Sequence, residues 1–124
     1  MIIRPASRKD CQAIYSLYQS EKWLSFTEEK VTSLFSTNLS HYLVLEEDQK
    51  ILGFVRYLTD EVLTTFLAEI IIDKSHRRKG LGQQLIEEIH KKYPLTRIEL
   101  ISEADGFYRA ISFKPVGTGF RKSE

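Results

Sequence analysis

The sequence predicts a single α/β domain in which helices pack on one mixed β-sheet. Segments with apolar residues at strand spacing alternate along the chain with segments that show helical spacing. A chain of 124 residues is also long enough for one hydrophobic core but not for two. We therefore expect one domain over residues 1–124, with a central twisted sheet of six to seven strands flanked by about four helices.

The first elements are a short strand and two helices. Residues 2–4 are typical of a strand. Ser7 is the expected N-cap of the helix that follows, because Asp10 stands three residues later as in a capping box. Thr27 is the expected cap of a second helix. These elements precede the sheet's central strands.

The middle of the chain predicts a hairpin followed by a longer strand. Residues 42–45 and 51–58 are apolar strands joined by a polar turn at 47–50. A third strand covers about 63–73, and its apolar run at 70–72 indicates burial on both faces. Three neighbouring strands are therefore expected in the sheet.

The last third of the chain alternates helix and strand. An amphipathic helix is predicted over 80–93, a strand over 97–101 and a short helix over 105–112. A final pair of strands is predicted around Gly117. The helix at 80–93 would connect two parallel strands in a crossover.

The turn before that helix has the features of an anion site. Gly80 and Gly82 would let the backbone approach a bulky phosphate, and Arg77, Arg78 and Lys79 add positive charge. The N-terminus of a helix carries free N–H groups and partial positive charge. A ligand with a pyrophosphate is therefore expected, although the same residues would also be found in a solvated basic turn.

Two common phosphate motifs do not match this turn. The dinucleotide fingerprint requires a third small residue where this chain has Leu85. The phosphate loop of nucleoside triphosphatases requires Gly-Lys-Ser or Gly-Lys-Thr at its end, which this turn does not supply. Neither class is therefore predicted.

The turn instead resembles the acetyl-CoA-binding motif of the GNAT superfamily of N-acetyltransferases, because residues 77–82 read Arg-x-x-Gly-x-Gly between a strand and a helix.

A second segment resembles the same family. Phe107, Tyr108 and Phe113 fit its pattern Ala-x-x-Phe-Tyr-x-x-x-Gly-Phe, whereas Ser112 stands where the family usually has glycine. We expect that this helix end does not adopt a left-handed cap. The resemblance covers nearly the whole chain and implies a GNAT-type fold.

The resemblance implies that acetyl-CoA lies where the strands at 69–73 and 97–101 splay apart. The pantetheine arm would pair with the strand and the pyrophosphate would bind the turn. The implied cofactor-binding residues are Ile70, Ile71, Ile72, Arg77, Arg78, Lys79, Gly80, Leu81, Gly82 and Tyr108. No metal is expected, since His41, His76, His90 and Cys11 show no ligand spacing.

Two residues are the candidates for catalysis. Tyr108 is the candidate general acid that would protonate the leaving thiolate, and Glu69 is a candidate base or anchor for a cationic acceptor. Direct attack of a primary amine on acetyl-CoA, without a covalent enzyme intermediate, is what the resemblance implies. Tyr108 could instead be a packed aromatic and Glu69 a solvent-facing residue. Trp23, Leu24 and Phe26 could belong to the core or to the wall of the acceptor site.

Composition favours a cytoplasmic protein that binds neither nucleic acid nor membrane. The net charge of +1 is low for a nucleic-acid-binding protein, and a single cysteine suits a reducing compartment. No apolar run approaches about 20 residues, and the N-terminus does not resemble a secretion signal. The expected partners are acetyl-CoA and an amine on a small molecule or peptide, and the resemblance also implies a homodimer. A CoA-binding module without catalysis is the alternative, and a basic nucleic-acid module at 76–79 is a weaker one.

Overall fold

A computed structural model describes residues 1–123 of the chain. The strands are β1 (Ile2–Pro5), β2 (His41–Glu47), β3 (Lys50–Thr59), β4 (Thr64–Ile72) and β5 (Arg97–Leu100). The helices are α1 (Cys11–Ser20), α2 (Glu28–Leu34), α3 (Leu81–Lys92) and α4 (Asp105–Ala110), with 3-10 turns at Arg8–Asp10 and Lys74–His76. Each predicted helix is present within a few residues of its expected bounds.

The five strands form one sheet in the order β1-β2-β3-β4-β5. The first three pairings are antiparallel, and β4 and β5 pair in parallel. The chain passes through α3 on its way from β4 to β5. The mixed sheet predicted from the sequence is therefore confirmed, but residues 1–123 form five strands rather than six to seven.

The predicted final pair of strands around Gly117 was wrong. Residues 113–123 form no strand in the structure. Two glycines and Pro115 lie within this stretch, and both residue types weaken a strand: glycine through its entropy and proline through its missing N–H. The alternation of apolar residues around Gly117 is too short to overcome them.

The sheet has an apolar layer on each face. On one face α3 packs through Leu81, Leu85, Ile86 and Ile89 against alternate residues of β2, β3 and β4. On the other face α1 and α2 pack through Ile14, Leu17, Tyr18 and Val31 against the intervening strand residues. Side chains alternate between the two faces along a strand, so Ile70 and Ile72 of β4 belong to the α3 layer and Ile71 to the other layer.

Local capping follows the sequence at two predicted positions. The carboxylate of Asp10 accepts a hydrogen bond from the Ser7 backbone N–H at 2.8 Å. The Thr27 side chain accepts from the Lys30 N–H at 3.2 Å at the start of α2. Both helix starts therefore have side-chain acceptors for backbone N–H groups that the helix itself leaves free.

The expectation that Ser112 avoids a left-handed cap was wrong. Ser112 has φ +75°, and two hydrogen bonds close the end of α4. Phe113 donates to the Tyr108 carbonyl at 2.9 Å and Ser112 donates to the Arg109 carbonyl at 3.2 Å. This is the Schellman pattern, which a serine adopts here without the conformational freedom of glycine.

Candidate active site at the gap between β4 and β5

The two parallel strands of the sheet separate partway along their length. Their pairing runs from Thr64 to Leu67 on β4 and ends there at Leu100 of β5. Beyond that point β4 continues to Ile72 with only β3 as a partner. We call the side of residues 68–72 that has no strand partner the β4–β5 gap; it corresponds to the splayed strands expected from the family resemblance.

A β-bulge lies where the gap begins. Arg56 of β3 pairs with Glu69 of β4, but the next residue, Tyr57, pairs with Leu67, so Ala68 is an extra residue on β4. A bulge bends its strand and strengthens the local twist. The bulge therefore coincides with the departure of β4 from β5 and places Glu69 at the start of the gap.

The backbone of β4 offers free hydrogen-bonding groups to the gap. Asp73, just after β4, donates its backbone N–H to the Leu52 carbonyl of β3 at 2.7 Å. In an antiparallel pair the backbone groups of every second residue point to the partner strand, so those of Ile71 also point to β3. Ile70 and Ile72 then direct their polar groups away from β3. The Ile72 carbonyl already accepts from Arg77 Nε at 3.0 Å. Three isoleucines were expected to bind the cofactor. Ile70 and Ile72 direct their backbone groups to the gap, whereas Ile71 directs its own to β3 and buries its side chain beneath α1.

The N-terminus of α3 lies just beyond β4 and has no side-chain cap. Gly80 is the N-cap residue, with φ +76°, a value that favours glycine. The first helical hydrogen bond runs from the Gln84 N–H to the Gly80 carbonyl at 3.1 Å. The N–H groups of Leu81, Gly82 and Gln83 come before it, and a glycine cap supplies no oxygen for them. The geometry suits an anion.

The three basic residues before this helix do not act together. Arg77 NH2 donates to Glu21 at the end of α1 at 2.8 Å, and its Nε bonds the Ile72 carbonyl, so this side chain joins the turn to α1. Arg78 and Lys79 are exposed, and Arg78 has φ +63°. Arg78 and Lys79 are therefore the basic side chains available to a ligand in the turn.

The second glycine of the motif lies at a close packing contact. Gly82 is buried, and a Cβ on it would lie 3.1 Å from Cζ of Phe107 and 3.6 Å from Cδ1 of Ile70. The start of α3 thus meets α4 over the edge of the β4–β5 gap. The sequence indicated close approach of a phosphate at this position, whereas the structure shows close approach of an aromatic ring.

Tyr108 lies on α4 with its ring packed between two phenylalanines. The ring centroids of Phe107 and Phe113 lie 4.9 Å and 5.5 Å away in edge-on arrangements. The residue is half-buried against the α3-side core. Burial raises the pKa of the Tyr108 phenol above its ordinary value, so the hydroxyl is protonated at neutral pH and can donate a hydrogen bond.

Glu69 belongs to a largely buried hydrogen-bond network. Arg56 donates to both of its oxygens, from Nε to Oε1 at 2.6 Å and from NH2 to Oε2 at 2.7 Å. Tyr18 donates to Oε1 at 2.6 Å, and the Tyr18 and Tyr42 hydroxyls are 2.9 Å apart. Burial raises the pKa of both phenols, that of Tyr42 to about 12, so both remain neutral donors.

The sequence points to Glu69 but not to its hydrogen-bond partners. Tyr18 fits the apolar stripe of the first helix, and Arg56 could face the acceptor cleft, but neither position indicates a bond to Glu69. The available signal was an arginine and a glutamate within otherwise apolar strands, since charged residues are rarely buried without a partner. The pairing itself depends on the strand register, which the sequence did not reveal.

A groove of about 460 Å³ adjoins this network. It is lined by Ser25, Phe26, Lys30, Ser33, Leu34 and Arg56. Phe26 stacks on Tyr18 with ring centroids 4.1 Å apart, so it is both a core residue and a groove wall. Trp23 packs in the same cluster, whereas Leu24 is exposed. We call this the α2 groove.

A larger groove, of about 760 Å³, is separate from these residues. It lies between α1 and the β2–β3 hairpin and includes Arg4, which donates hydrogen bonds to Asp10 and to Glu46. Neither Glu69 nor Tyr108 lines it. The smaller α2 groove is therefore the better candidate for chemistry, because it adjoins the start of the β4–β5 gap.

Residues 1–123 contain no group of three or more His, Cys, Asp or Glu side chains placed to hold a metal ion. Within the same residues, no helix has the length and apolar character needed to cross a membrane.

Comparison with known proteins agrees with this geometry. Residues 38–115 match the family model described as "Acetyltransferase (GNAT) domain". A search of curated proteins found no match. The match includes β4, the turn, α3 and α4, which form the gap.

Solved structures of acetyltransferases have the same fold. A ribosomal-protein-alanine N-acetyltransferase from Brucella melitensis is 15% identical, with a TM-score of 0.81 and 100% of each chain covered. An aminoglycoside 6'-N-acetyltransferase from Acinetobacter haemolyticus is 17% identical, with a TM-score of 0.76 and coverage of 100% of this chain and 98% of that one. An aminoglycoside N-acetyltransferase in complex with CoA is 13% identical, with a TM-score of 0.80 and coverage of 99% and 93%. With the family model matching more than half of its length, the chain belongs to the GNAT family of acetyltransferases, enzymes that use acetyl-CoA.

Proposed function

We propose that this protein transfers an acetyl group from acetyl-CoA to a primary amine by direct attack, without a covalent enzyme intermediate. The observation that supports this most is the β4–β5 gap, which leads from Glu69 along free backbone groups to the uncapped start of α3. The similar solved structures are named for acetylation of alanine of a ribosomal protein and of aminoglycosides. Both acceptors are amines, which agrees with the proposal.

The residues around the gap suit acetyl-CoA. The backbone groups of Ile70 and Ile72 would pair with the amides of the pantetheine arm as an added strand would. The N–H groups of residues 80–83, with Arg78 and Lys79 beside them, would hold the pyrophosphate. When bound, acetyl-CoA supplies a thioester carbonyl that is reactive toward amines.

Glu69 has room for one further hydrogen bond. A carboxylate accepts about four hydrogen bonds. Oε1 already accepts from Tyr18 and Arg56, and Oε2 accepts once from Arg56. One site on Oε2 therefore remains for an N–H of the acceptor. Glu69 would hold the acceptor amine there and take its proton, directly or through water.

Tyr108 would complete the proton transfers. The amine nitrogen forms a bond to the carbonyl carbon, the carbon–sulfur bond breaks, and the phenol donates its proton to the departing sulfur. A phenol with a raised pKa keeps that proton throughout the neutral range. The proton lost by the amine passes through Glu69 to solvent, and solvent returns a proton to the Tyr108 phenolate, so charge and protons balance over the cycle.

The test is the substitution Tyr108→Phe, which keeps the ring and removes the hydroxyl. We expect kcat for thiol release with an amine acceptor to fall about 100-fold, the lower end of what a positioned proton donor contributes. The dissociation constant of CoA, measured by calorimetry, should change less than about twofold. If kcat is unchanged, Tyr108 is not the acid. If CoA binds but no amine in a broad panel is acetylated, the protein is a CoA-binding module without catalysis.

We also propose that the protein is a cytoplasmic homodimer. The outer edge of β5 has no strand partner within residues 1–123, and the apolar side chain of Ile101, just after β5, is 61% exposed. An exposed strand edge is a surface on which a second chain can pair. Light scattering would give a mass near twice 14.5 kDa if the pairing occurs.

A further inference from the structure

We propose that the amine acceptor of this enzyme also carries a carboxylate group, which the α2 groove binds through Lys30 and Arg56. This inference rests on the proposed acetyl transfer and adds the chemical class of the acceptor. The charged residues that line the groove are these two cations, and among residues 1–123 no carboxylate lines it. A groove with that lining attracts an anion and repels a polycation.

The carboxylate that is bonded to a lining residue of the groove is already compensated. Glu69 lies under Arg56 with its side chain 10% exposed, and a bidentate ion pair neutralises it. Glu69 therefore contributes one hydrogen-bonding site but little net field toward the groove. The uncompensated charge of the lining is that of Lys30, which has no carboxylate within 4.0 Å in the described chain.

Arg56 has donors left for a ligand. Two of its nitrogens bond Glu69, and NH1 reaches the Ser40 hydroxyl at 3.3 Å. A guanidinium has more N–H groups than these contacts use, and Arg56 lines the groove. One arginine would thus orient the base Glu69 and contact the acceptor's carboxylate.

The remaining lining indicates a small apolar body beside the two polar groups. Phe26 and Leu34 form the apolar wall, and Ser25 and Ser33 supply hydroxyls at the rim. Lys30, Ser33 and Leu34 share one face of α2, because they are three and four residues apart. The groove therefore fits an amino acid with an apolar side chain, with its amine at Glu69 and its carboxylate at Lys30.

The test uses acceptors that differ only in the charge of one group. Leucine and leucinamide are titrated by calorimetry into protein saturated with CoA, and both are also assayed for thiol release with acetyl-CoA. We expect leucine to bind at least about fivefold more tightly than leucinamide, which corresponds to about 1 kcal/mol for a solvent-exposed ion pair. Spermidine should bind more weakly than either.

Two matched variants assign the effect to the groove. Lys30→Gln should bring the leucine-to-leucinamide affinity ratio close to one and leave leucinamide binding unchanged. Lys50→Gln removes an exposed lysine at the start of β3, outside the α2 groove, and should preserve the ratio. Circular dichroism would verify that both variants are folded.

The outcomes separate this inference from the proposed function. Equal binding of leucine and leucinamide, tighter binding of spermidine, or a ratio that survives Lys30→Gln would overturn the carboxylate assignment even if all amines are acetylated. Selective binding of leucine that depends on Lys30, without thiol release, would uphold the groove and refute acetyl transfer. The calorimetric ratio decides the inference in either case.

Discussion

Single residues in this protein acquire their roles from partners far away in sequence. Glu69 receives hydrogen bonds from Arg56 on the neighbouring strand and from Tyr18 on α1, at sequence separations of 13 and 51 residues. A carboxylate this little exposed would be costly without such partners. The network explains why charged residues stand inside two apolar strands, and it fixes the orientation of the candidate base.

Ser112 shows that a residue can be strained and still complete a motif. Its φ of +75° costs a residue with a Cβ about 1–2 kcal/mol relative to glycine. Ser112→Gly should therefore raise the free energy of unfolding by about 1 kcal/mol and the melting temperature by about 4 °C. Thermal unfolding followed by circular dichroism checks this.

The matched control for that change lies in the same helix. Ala110→Gly, at the last position of α4, should destabilise the protein by up to about 1 kcal/mol, because glycine is a poor helix former. If both glycine substitutions change stability in the same direction, the left-handed cap at Ser112 does not carry the strain assigned to it.

At the scale of elements, one strand and one helix create the candidate site together. β4 bends at its bulge and leaves β5, and α3 begins a few residues after β4 ends. Glycine at the N-cap leaves the first N–H groups of α3 without a side-chain acceptor. Most helices satisfy these groups locally, so the lack of a side-chain acceptor here favours a bound anion.

Gly80→Ala tests this role of the helix start. The substitution forces a Cβ into a φ of +76°, which costs about 1–2 kcal/mol and should displace the first turn of α3. We expect CoA to bind about tenfold more weakly by calorimetry. Gly117→Ala, with open space around the added Cβ, is the control and should leave affinity unchanged. Wild-type affinity in Gly80→Ala would remove the turn from the cofactor site.

At the scale of the whole molecule, an ion-pair cluster joins the N-terminus to the sheet. Arg4 on β1 bonds both oxygens of Asp10 at 2.8 Å and 3.0 Å, and it bonds Glu46 on β2 at 2.6 Å. The hydrogen bonds from Arg4 lower the pKa of the Asp10 carboxyl below its usual value. The cluster thus connects β1, the start of α1 and β2 through one guanidinium.

This cluster predicts the pH dependence of stability. The folded pKa of Asp10 lies below its unfolded value of about 3.9, so the pair stabilises the protein above that pH and loses its effect as the pH falls through the folded pKa. Asp10→Asn should cost about 2 kcal/mol at pH 7. Urea unfolding should show this difference shrinking below about pH 4.

The exposed Asp48 in the β2–β3 turn provides the comparison. Asp48→Asn should change stability by less than about 0.5 kcal/mol at any pH, as is usual for surface substitutions. A difference between wild type and Asp10→Asn that is constant from pH 7 to pH 2 would show that the Arg4 pair does not govern acid stability.

The sequence by itself determined the element order, the mixed sheet and the turn before α3, because these depend on local patterns of apolar residues, glycines and caps. Thr27 and Gly80 are examples: each has its structural effect within four residues of its own position. The same locality explains why the strands predicted around Gly117 were wrong, since a short alternation without a pairing partner is weak evidence.

Only the tertiary structure decided which side chains act together. Arg77 belongs to the basic motif in sequence, yet it bonds Glu21, 56 residues away, and leaves Arg78 and Lys79 to the turn. Gly82 accommodates Phe107, and Arg56 pairs with Glu69, through strand register and helix packing. Such contacts arise when distant segments share one core, and the short periodicities of a single chain do not encode which segments will meet.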